Sequence, residues 1–345
     1  MYALFSDHYI IDLPPHHTFP IQKYRLIREQ LLAEGTLSPE ELLEPTLAAP
    51  TDVRLVHTED YWEQLTSGTL PGSVVRRMGL PWSEALVRRS RASVQGTLTA
   101  ARIAIGDRIA VNLGGGTHHA FLDRGEGYCI LNDIAIAVRC LQRDGWMQRM
   151  AIIDCDVHQG NGTAAIFADE PDVYTFSIHG ANNYPLVKVP GNLDIGLPDG
   201  TGDEEYLRAL EPVMPKIWAS FVPVWFSTWL AWTRTSGTAW DASDSRTKAC
   251  ASAMSSSCEP AVMPASRWPS RWAVGMVRTS RTPWRPTAIP SVRPARCATA
   301  PAPRTERGSS RRDLPSLHGP LRLASDCQET KPPQRCSVDT RAPDE

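Results

Sequence analysis

The chain has 345 residues, 42% of them hydrophobic, with 36 Lys and Arg against 38 Asp and Glu and a formal net charge of −2. This length suits about two average domains, and the composition excludes collagen-like, strongly acidic and strongly basic proteins. The balance conceals a division at Ile217, because residues 1–217 hold 18 basic and 28 acidic side chains (−10) and residues 218–345 hold 18 and 10 (+8).

Hydrophobic periodicity in residues 1–217 predicts alternating helices and strands. Ser83 and Asn132 are placed to cap helices that begin directly after them. The predicted elements, in chain order, are a helix from Tyr24 to Ala33, a helix from Ser83 to Ile105, a strand from Ile109 to Leu113, a helix from Asn132 through Leu141, and strands from Met150 to Asp154 and from Val173 to Ile178. This alternation predicts an α/β fold with a parallel sheet and helices on both faces.

The last 128 residues show no comparable periodicity. All 8 Tyr and 16 of the 17 Ile precede residue 218, whereas the tail holds 8 of the 11 Trp and 15 of the 29 Pro. A globular core needs residues such as Ile, Tyr and Phe. We therefore expect one domain over residues 1–217, followed by a disordered tail over 218–345 that is rich in Trp, Arg, Pro and Ser.

Neither a secretory signal nor a membrane span is evident in the sequence. The first residues lack a basic segment followed by an apolar run, and no stretch reaches about 18 apolar residues. Cys129, Cys140 and Cys155 lie in apolar runs and are expected to be buried thiols. We expect a cytoplasmic protein with no membrane partner.

The densest group of polar residues is Asp154-Cys-Asp156-Val-His158-Gln-Gly-Asn161-Gly, which follows a buried strand. In an extended chain, alternate side chains point to one side, so Asp154, Asp156 and His158 can converge. Carboxylate and imidazole groups are suitable zinc ligands, and parallel sheets collect active sites at the carboxyl ends of their strands. A surface loop in which these groups only cap a turn is the alternative.

Two further motifs precede this one. The segment Gly-Gly-Gly-Thr-His118-His119 follows the strand at 109–113, and adjacent imidazoles beside a metal favour proton transfer. A phosphate-binding loop or an exposed His pair is the alternative, although the Lys of a phosphate loop is absent. In Gly-Glu-Gly127-Tyr128-Cys, the glycines allow close backbone approach and Tyr128 could line a slot, or the segment is an ordinary turn.

Together, the motifs at 114–119, 127–133 and 153–162 resemble the histone deacetylase family, including its bacterial deacetylase-like and acetoin-utilisation-type members. The resemblance extends from about Phe5 to Ile217. The glutamine that follows His158, Gln159, resembles the residue at this position in the class IV and related bacterial branch. It implies a three-layer αβα arginase/deacetylase-like fold with a mainly parallel sheet. It also implies a zinc-dependent deacetylase that acts on acetylated lysine or an acetylated small amine.

By motif position, the resemblance assigns a role to each candidate residue. Asp156 and His158 would bind one zinc ion, which in such enzymes polarises the acetyl carbonyl and activates a water molecule. The remaining assignments are proton transfer for His118 and His119, partners of these two histidines for Asp154 and Asn161, and substrate binding for Gly127 and Tyr128.

Two parts of the family's site are missing from residues 218–345. The family also uses a third carboxylate ligand and a tyrosine that stabilises the oxyanion, yet the tail contains no Tyr and no Gly-Val-Asp-Pro-like motif. A catalytic zinc site normally has three protein ligands. We therefore expect that the C-terminal part of the fold is missing and that the activity of this chain is impaired.

The codons of the tail permit a different sequence in another reading frame. When each codon is read from its third base, Thr228–Arg234 can encode Leu-Ala-Gly-Val-Asp-Pro, and Trp272–Arg278 can encode Gly-Gly-Gly-Tyr-Gly-Pro. Both resemble the missing motifs, in order and in one common frame. The hypothesis is a frameshift near Lys216–Trp218, by mutation or sequencing error, and the gene sequence across this junction would test it.

Two rival interpretations stay open. The first is an inactive deacetylase-like protein whose basic tail binds nucleic acid, since a charge of +8 allows phosphate contacts. The tail shows no recognisable nucleic-acid-binding fold, so we expect no such partner. The second keeps the metal enzyme but changes the substrate to an acetylated polyamine or another small amide. Arginase-like ureohydrolases share the implied fold, but the His pair favours a deacetylase.

Overall fold

The structure is a computed structural model. It describes residues 1–107 and 109–221, together with the backbone of two later strands. The helices are α1 (Lys23–Ala33), α2 (Pro50–Val53), α3 (Glu59–Ser67), α4 (Gly72–Met78), α5 (Glu84–Asp107), α6 (Asp133–Arg143), α7 (Asn161–Ile166), α8 (Asp203–Leu210) and α9 (Met214–Ser220). The strands are β1 (Tyr2–Leu4), β2 (Leu42–Leu43), β3 (Ile109–Asn112), β4 (Met150–Asp154), β5 (Val173–Gly180), β6 (Leu193–Leu197), β7 (Val224–Leu230) and β8 (Ala273–Thr279).

The described strands form one sheet in the order β2-β1-β3-β8-β7-β4-β5-β6. Neighbouring strands are parallel except at β8, which runs antiparallel to both β3 and β7. The prediction of a mainly parallel sheet is confirmed. Since β3, β7 and β4 all run in the same direction, the loops that follow β3 and β4 leave the sheet at one edge.

Two hydrophobic cores cover the two faces of the sheet. Along β4, Met150 and Ile152 belong to the core that contains α1, α3, α5 and α6, whereas Ala151 and Ile153 belong to the core that contains α8 and α9. Successive side chains of a strand point to opposite faces, so helices pack on both. This arrangement confirms the three-layer αβα architecture.

The predicted elements of residues 1–217 are confirmed with small changes at their ends. The backbone N–H of Leu86 donates to Ser83 Oγ at 3.0 Å, and that of Ala135 donates to Asn132 Oδ1 at 3.0 Å. Both caps satisfy donors that a helix leaves unpaired in its first turn. Helix α9 continues to Ser220, past the predicted boundary at Ile217.

The structure differs from the sequence-based expectation at two segments of the tail. Strands β7 and β8 pair with each other, β7 pairs with β4 from Ile153↔Thr228 to Asp154↔Trp229, and β8 pairs with β3. Val, Trp, Phe and Thr dominate β7 and favour extended backbone, and β4 offers it an edge. The rest of the predicted disordered tail lies outside the described residues and stays a prediction.

The described part of the chain bears on the expectations of no membrane-spanning segment and of buried thiols. Within residues 1–107 and 109–221, no helix is long and apolar enough to span a membrane. Cys129, Cys140 and Cys155 are buried, as predicted. These thiols therefore contribute to packing.

Candidate active site

The candidate residues meet at the edge of the sheet where β3 and β4 end. His118 and His119 follow the glycine run after β3, and Asp154, Asp156 and His158 lie at the end of β4 and just beyond it. Helix α7 begins at Asn161, whose side chain contacts His119. The structure thus brings together the two motifs that the sequence placed 36 residues apart.

A chain of side-chain hydrogen bonds runs through the four predicted catalytic residues. His118 Nδ1 lies 2.6 Å from Asp154 Oδ2, and the Nε2 atoms of His118 and His119 are 3.1 Å apart. His119 Nδ1 lies 2.7 Å from Asn161 Oδ1. All four residues are buried, so each imidazole has the orienting partner that the sequence suggested.

Burial decides how protons are distributed along this chain. It raises the pKa of Asp154 to about 7 and lowers the pKa values of His118 and His119 well below their usual range. One neutral arrangement satisfies every contact: the Asp154 carboxyl donates to His118 Nδ1, and His118 Nε2–H donates to His119 Nε2. His119 Nδ1–H then donates to the amide oxygen of Asn161. In this arrangement each of the three contacts pairs one donor with one acceptor.

Asp156 and His158 form the second part of the site. His158 Nδ1 lies 3.2 Å from Asp156 Oδ1, which also accepts the backbone N–H of His158 at 2.7 Å. Asp156 is fully buried, yet its Oδ2 has no hydrogen-bond partner among the described residues. A buried carboxylate oxygen without a partner is costly unless a cation meets it. The two side chains therefore fit two positions of a metal site.

The described residues do not complete that metal site. Within them, no group of three or more His, Cys, Asp or Glu side chains is placed to hold a metal ion. A catalytic zinc ion needs about three protein ligands. Asp156 and His158 alone therefore fit a metal ion only in part.

Close approach of α7 to the histidine loop depends on a glycine. A Cβ added at Gly162 would lie 2.3 Å from the backbone oxygen of Ala120. Nearby, the backbone N–H of Thr163 donates to the backbone oxygen of His118 at 3.0 Å. We expect any side chain at Gly162 to push Asn161 away from His119. The reason is that Gly162 lies between Asn161, which contacts His119, and Thr163, which contacts the His118 backbone.

The predicted substrate-binding pair, Gly127 and Tyr128, lies in the loop next to His119. Gly127 has a φ of +55°, and a Cβ there would lie 2.7 Å from His119 Cδ2. Tyr128 has a φ of +66°, which is unusual for an aromatic residue. Its ring packs on Phe19 at a centroid distance of 5.0 Å and is partly exposed. Gly127 thus lies directly beside His119, and the Tyr128 ring packs against Phe19.

Tyr184 is a site residue that the sequence analysis did not find. Its ring stands edge-on to His119, with centroids 4.9 Å apart and planes at 88°, and 5.9 Å from the His158 ring. Its hydroxyl donates to Glu126 Oε1 at 2.8 Å. A Tyr-Pro pair in a loop is a turn signal, which does not indicate that the loop folds back over the motifs.

Asp133 is the second site residue that the sequence did not indicate, although it is the last residue of the family motif at 127–133. Its fully buried carboxylate accepts from the backbone N–H of Gly116 at 2.9 Å and of Thr117 at 2.6 Å. It also accepts from the hydroxyl of Thr97, while the hydroxyl of Thr117 lies within hydrogen-bond distance of both this carboxylate and the backbone oxygen of Leu131. These contacts fix the loop that carries the histidine pair.

His57 ties the loops on both sides of the site together. Its Nδ1 lies 3.3 Å from the backbone oxygen of Leu122, and its Nε2 accepts the backbone N–H of Asn132 at 3.0 Å. Only 2% of His57 is exposed. Burial lowers the pKa of His57 to about 4, which keeps its ring neutral and able to accept.

His57 is expected to make the domain less stable in acid. Below pH 6.5 the unfolded chain binds a proton at this residue that the folded chain refuses until about pH 4, so stability is lost as the pH falls through this window. Between pH 7 and pH 5 the loss amounts to about 2 kcal/mol.

Urea unfolding of the wild type and of His57→Gln at both pH values measures this effect. Gln can donate to Leu122 and accept from Asn132 without titrating. We expect the pH-dependent loss to be smaller in the variant by that amount. An equal loss in both proteins would exclude His57 as its source.

Comparisons with known proteins identify the family of this chain. A sequence model of the histone deacetylase domain matches residues 17–227, more than half of the chain. An uncharacterized protein of Picosynechococcus sp. is 45% identical over 208 residues, which cover 60% of this chain and 69% of that protein. The acetoin utilization protein AcuC of Bacillus subtilis is 31% identical over 60% of this chain and 59% of its own length.

Solved structures give the same result for the fold. The crystal structure of an HDAC homolog complexed with SAHA has a TM-score of 0.59 and 25% identity, covering 66% of this chain and 67% of that one. The fold thus defines a protein of the arginase/deacetylase-like α/β class. The chain belongs to the histone deacetylase family. It spans less than two thirds of the length of AcuC.

Proposed function

We propose that the site is that of a zinc-dependent deacetylase that hydrolyses an acetylated amine, such as acetyl-lysine. One observation carries the proposal: the buried His118–His119 pair, each with its own polar partner, lies beside an unpartnered carboxylate oxygen of Asp156. This combination would supply proton transfer and two metal ligands at one edge of the sheet. Asp156 and His158 would hold the zinc ion.

The residues of the chain have separable roles in this proposal. The imidazole of His119 lies beside Gly127 and Tyr184. Its Nε2 would accept the proton of an attacking water molecule in place of its hydrogen bond with His118. Asn161 holds its Nδ1–H, and Asp154 holds His118. A protonated imidazole then donates to the leaving amine, which restores the starting state.

We further propose that the deacetylase activity of this chain is impaired. Its described residues supply two metal ligands, and its sequence after Ile217 lacks the tyrosine that would stabilise the oxyanion. The frameshift hypothesis explains both losses with one event near Lys216–Trp218. The substrate class stays broad, because the motifs concern the reacting groups and do not distinguish protein lysine from a small amine.

Zinc analysis and acetate release from the purified full chain test the proposal. With an acetyl-lysine peptide or an acetylated polyamine as substrate, we expect less than one zinc ion per chain and slow turnover that His119→Ala abolishes. Stoichiometric zinc with a normal rate would refute the impairment. Turnover that survives His119→Ala would refute the assignment of the site.

A further inference from the structure

Glu126 belongs to the wall of the site, and no role described so far involves it. Its side chain is only 15% exposed. Oε1 accepts the Tyr184 hydroxyl at 2.8 Å and the Nδ2 of Asn161 at 3.3 Å. The other oxygen, Oε2, lies 3.6 Å from Arg124 Nε, and the Arg124 guanidinium stacks on Phe121 at 3.7 Å. The carboxylate is therefore anchored from behind and directed toward Asn161.

This contact determines which way the Asn161 amide faces. A carboxamide has a donor end and an acceptor end, whereas an ionised carboxylate only accepts hydrogen bonds. The NH₂ group of Asn161 must therefore face Glu126, and its oxygen must face His119. His119 then has to present Nδ1–H to that oxygen, which leaves the lone pair on Nε2.

We propose that Glu126 is a positioning residue that sets the tautomer of His119 through Asn161. It also holds the Tyr184 ring against the imidazoles of His119 and His158. Without an acceptor at position 126, the Asn161 amide can turn over and offer its NH₂ group to His119. The imidazole would then carry its proton on Nε2, which removes the lone pair that accepts the Nε2–H of His118 at 3.1 Å. The effect of this tautomer on catalysis rests on the proposed function, but the contacts that set the tautomer do not.

Nitrogen NMR of the full chain, with ¹⁵N-labelled histidine, tests the inference without any turnover. In the wild type we expect a single tautomer for His119, protonated at Nδ1. Glu126→Ala should lose this single tautomer and show protonation at Nε2. Glu126→Gln, which keeps an acceptor oxygen, should restore the wild-type pattern.

Two controls separate the contacts of Glu126. Tyr184→Phe removes the hydroxyl but leaves the bond to Asn161, so it should keep the wild-type tautomer. The signals of His57, whose Nδ1 faces a backbone oxygen, report whether each variant is folded. Should Glu126→Ala unfold, Glu126→Leu fills the same space without an acceptor.

A wild-type tautomer in a folded Glu126→Ala or Glu126→Leu protein would overturn the positioning role. So would Nε2 protonation of His119 in the wild type. Because neither result depends on zinc or acetate release, failure of the positioning role and failure of the proposed deacetylase are distinguishable.

Discussion

Restoring the alternative reading frame after Lys216–Trp218 is expected to raise turnover of an acetyl-lysine peptide by at least about 10²-fold, since loss of one oxyanion donor alone costs 10²–10³. Zinc should rise to one ion per chain, because the frame can encode Asp near residue 233. Strand β7 lies beside β4, and Trp229 is the register partner of Asp154. An aspartate a few residues further along would reach the edge that holds Asp156.

The matched control is the restored chain with that new aspartate changed to asparagine. This variant keeps the alternative tail but should bind less zinc and lose most of the gain in turnover. The zinc content and the initial rate of acetate release are measured for the present chain, the restored chain and its asparagine variant. A restored chain that neither binds zinc nor releases acetate would contradict both the frameshift hypothesis and the deacetylase assignment.

Replacing Asp133 by alanine is expected to cost at least about 3 kcal/mol of unfolding free energy, because a buried donor without its partner costs about 1–3 kcal/mol. Three donors lose their acceptor at once, namely two backbone N–H groups and the hydroxyl of Thr97, whereas the hydroxyl of Thr117 can still donate to the backbone oxygen of Leu131. Since a domain is stable by only about 5–15 kcal/mol, the variant should be close to unfolding.

Urea unfolding of Asp133→Ala, Asp133→Asn and the exposed-site control Asp169→Ala measures this effect. Asparagine keeps one acceptor end, so its loss of stability should lie between those of the other two variants. Asp169→Ala should change the free energy of unfolding by less than about 0.5 kcal/mol. An Asp133→Ala protein as stable as this control would show that the glycine loop does not depend on the carboxylate.

The motif residues were predictable because their signal is local. A buried strand followed at once by Asp154, Asp156 and His158 implies convergence from the two-residue period of the strand alone. The glycines before His118 imply a tight loop in the same way. The element pattern also placed both segments at the ends of parallel strands, so their meeting followed from fold class.

The partners of these residues were not predictable in the same way. Tyr184 and His57 contact the site across long stretches of chain, and nothing in their neighbouring residues indicates which way they face. Glu126 looked like part of an ordinary turn until Asn161 was placed beside it. Strands β7 and β8 were missed because the composition of the tail outweighed two short β-forming segments.

The near-neutral total charge is therefore the sum of two different segments, and the sequence by itself determined that division, the αβα class and the histidine and aspartate residues of the site. These features depend on composition and short-range periodicity, which are properties of neighbouring residues. Only the tertiary structure decided that Glu126, Asn161, His119 and Tyr184 form one connected group, that Asp133 anchors the histidine loop and that Asp156 keeps an unpartnered oxygen. Such contacts are set by packing between distant segments, which no local pattern encodes.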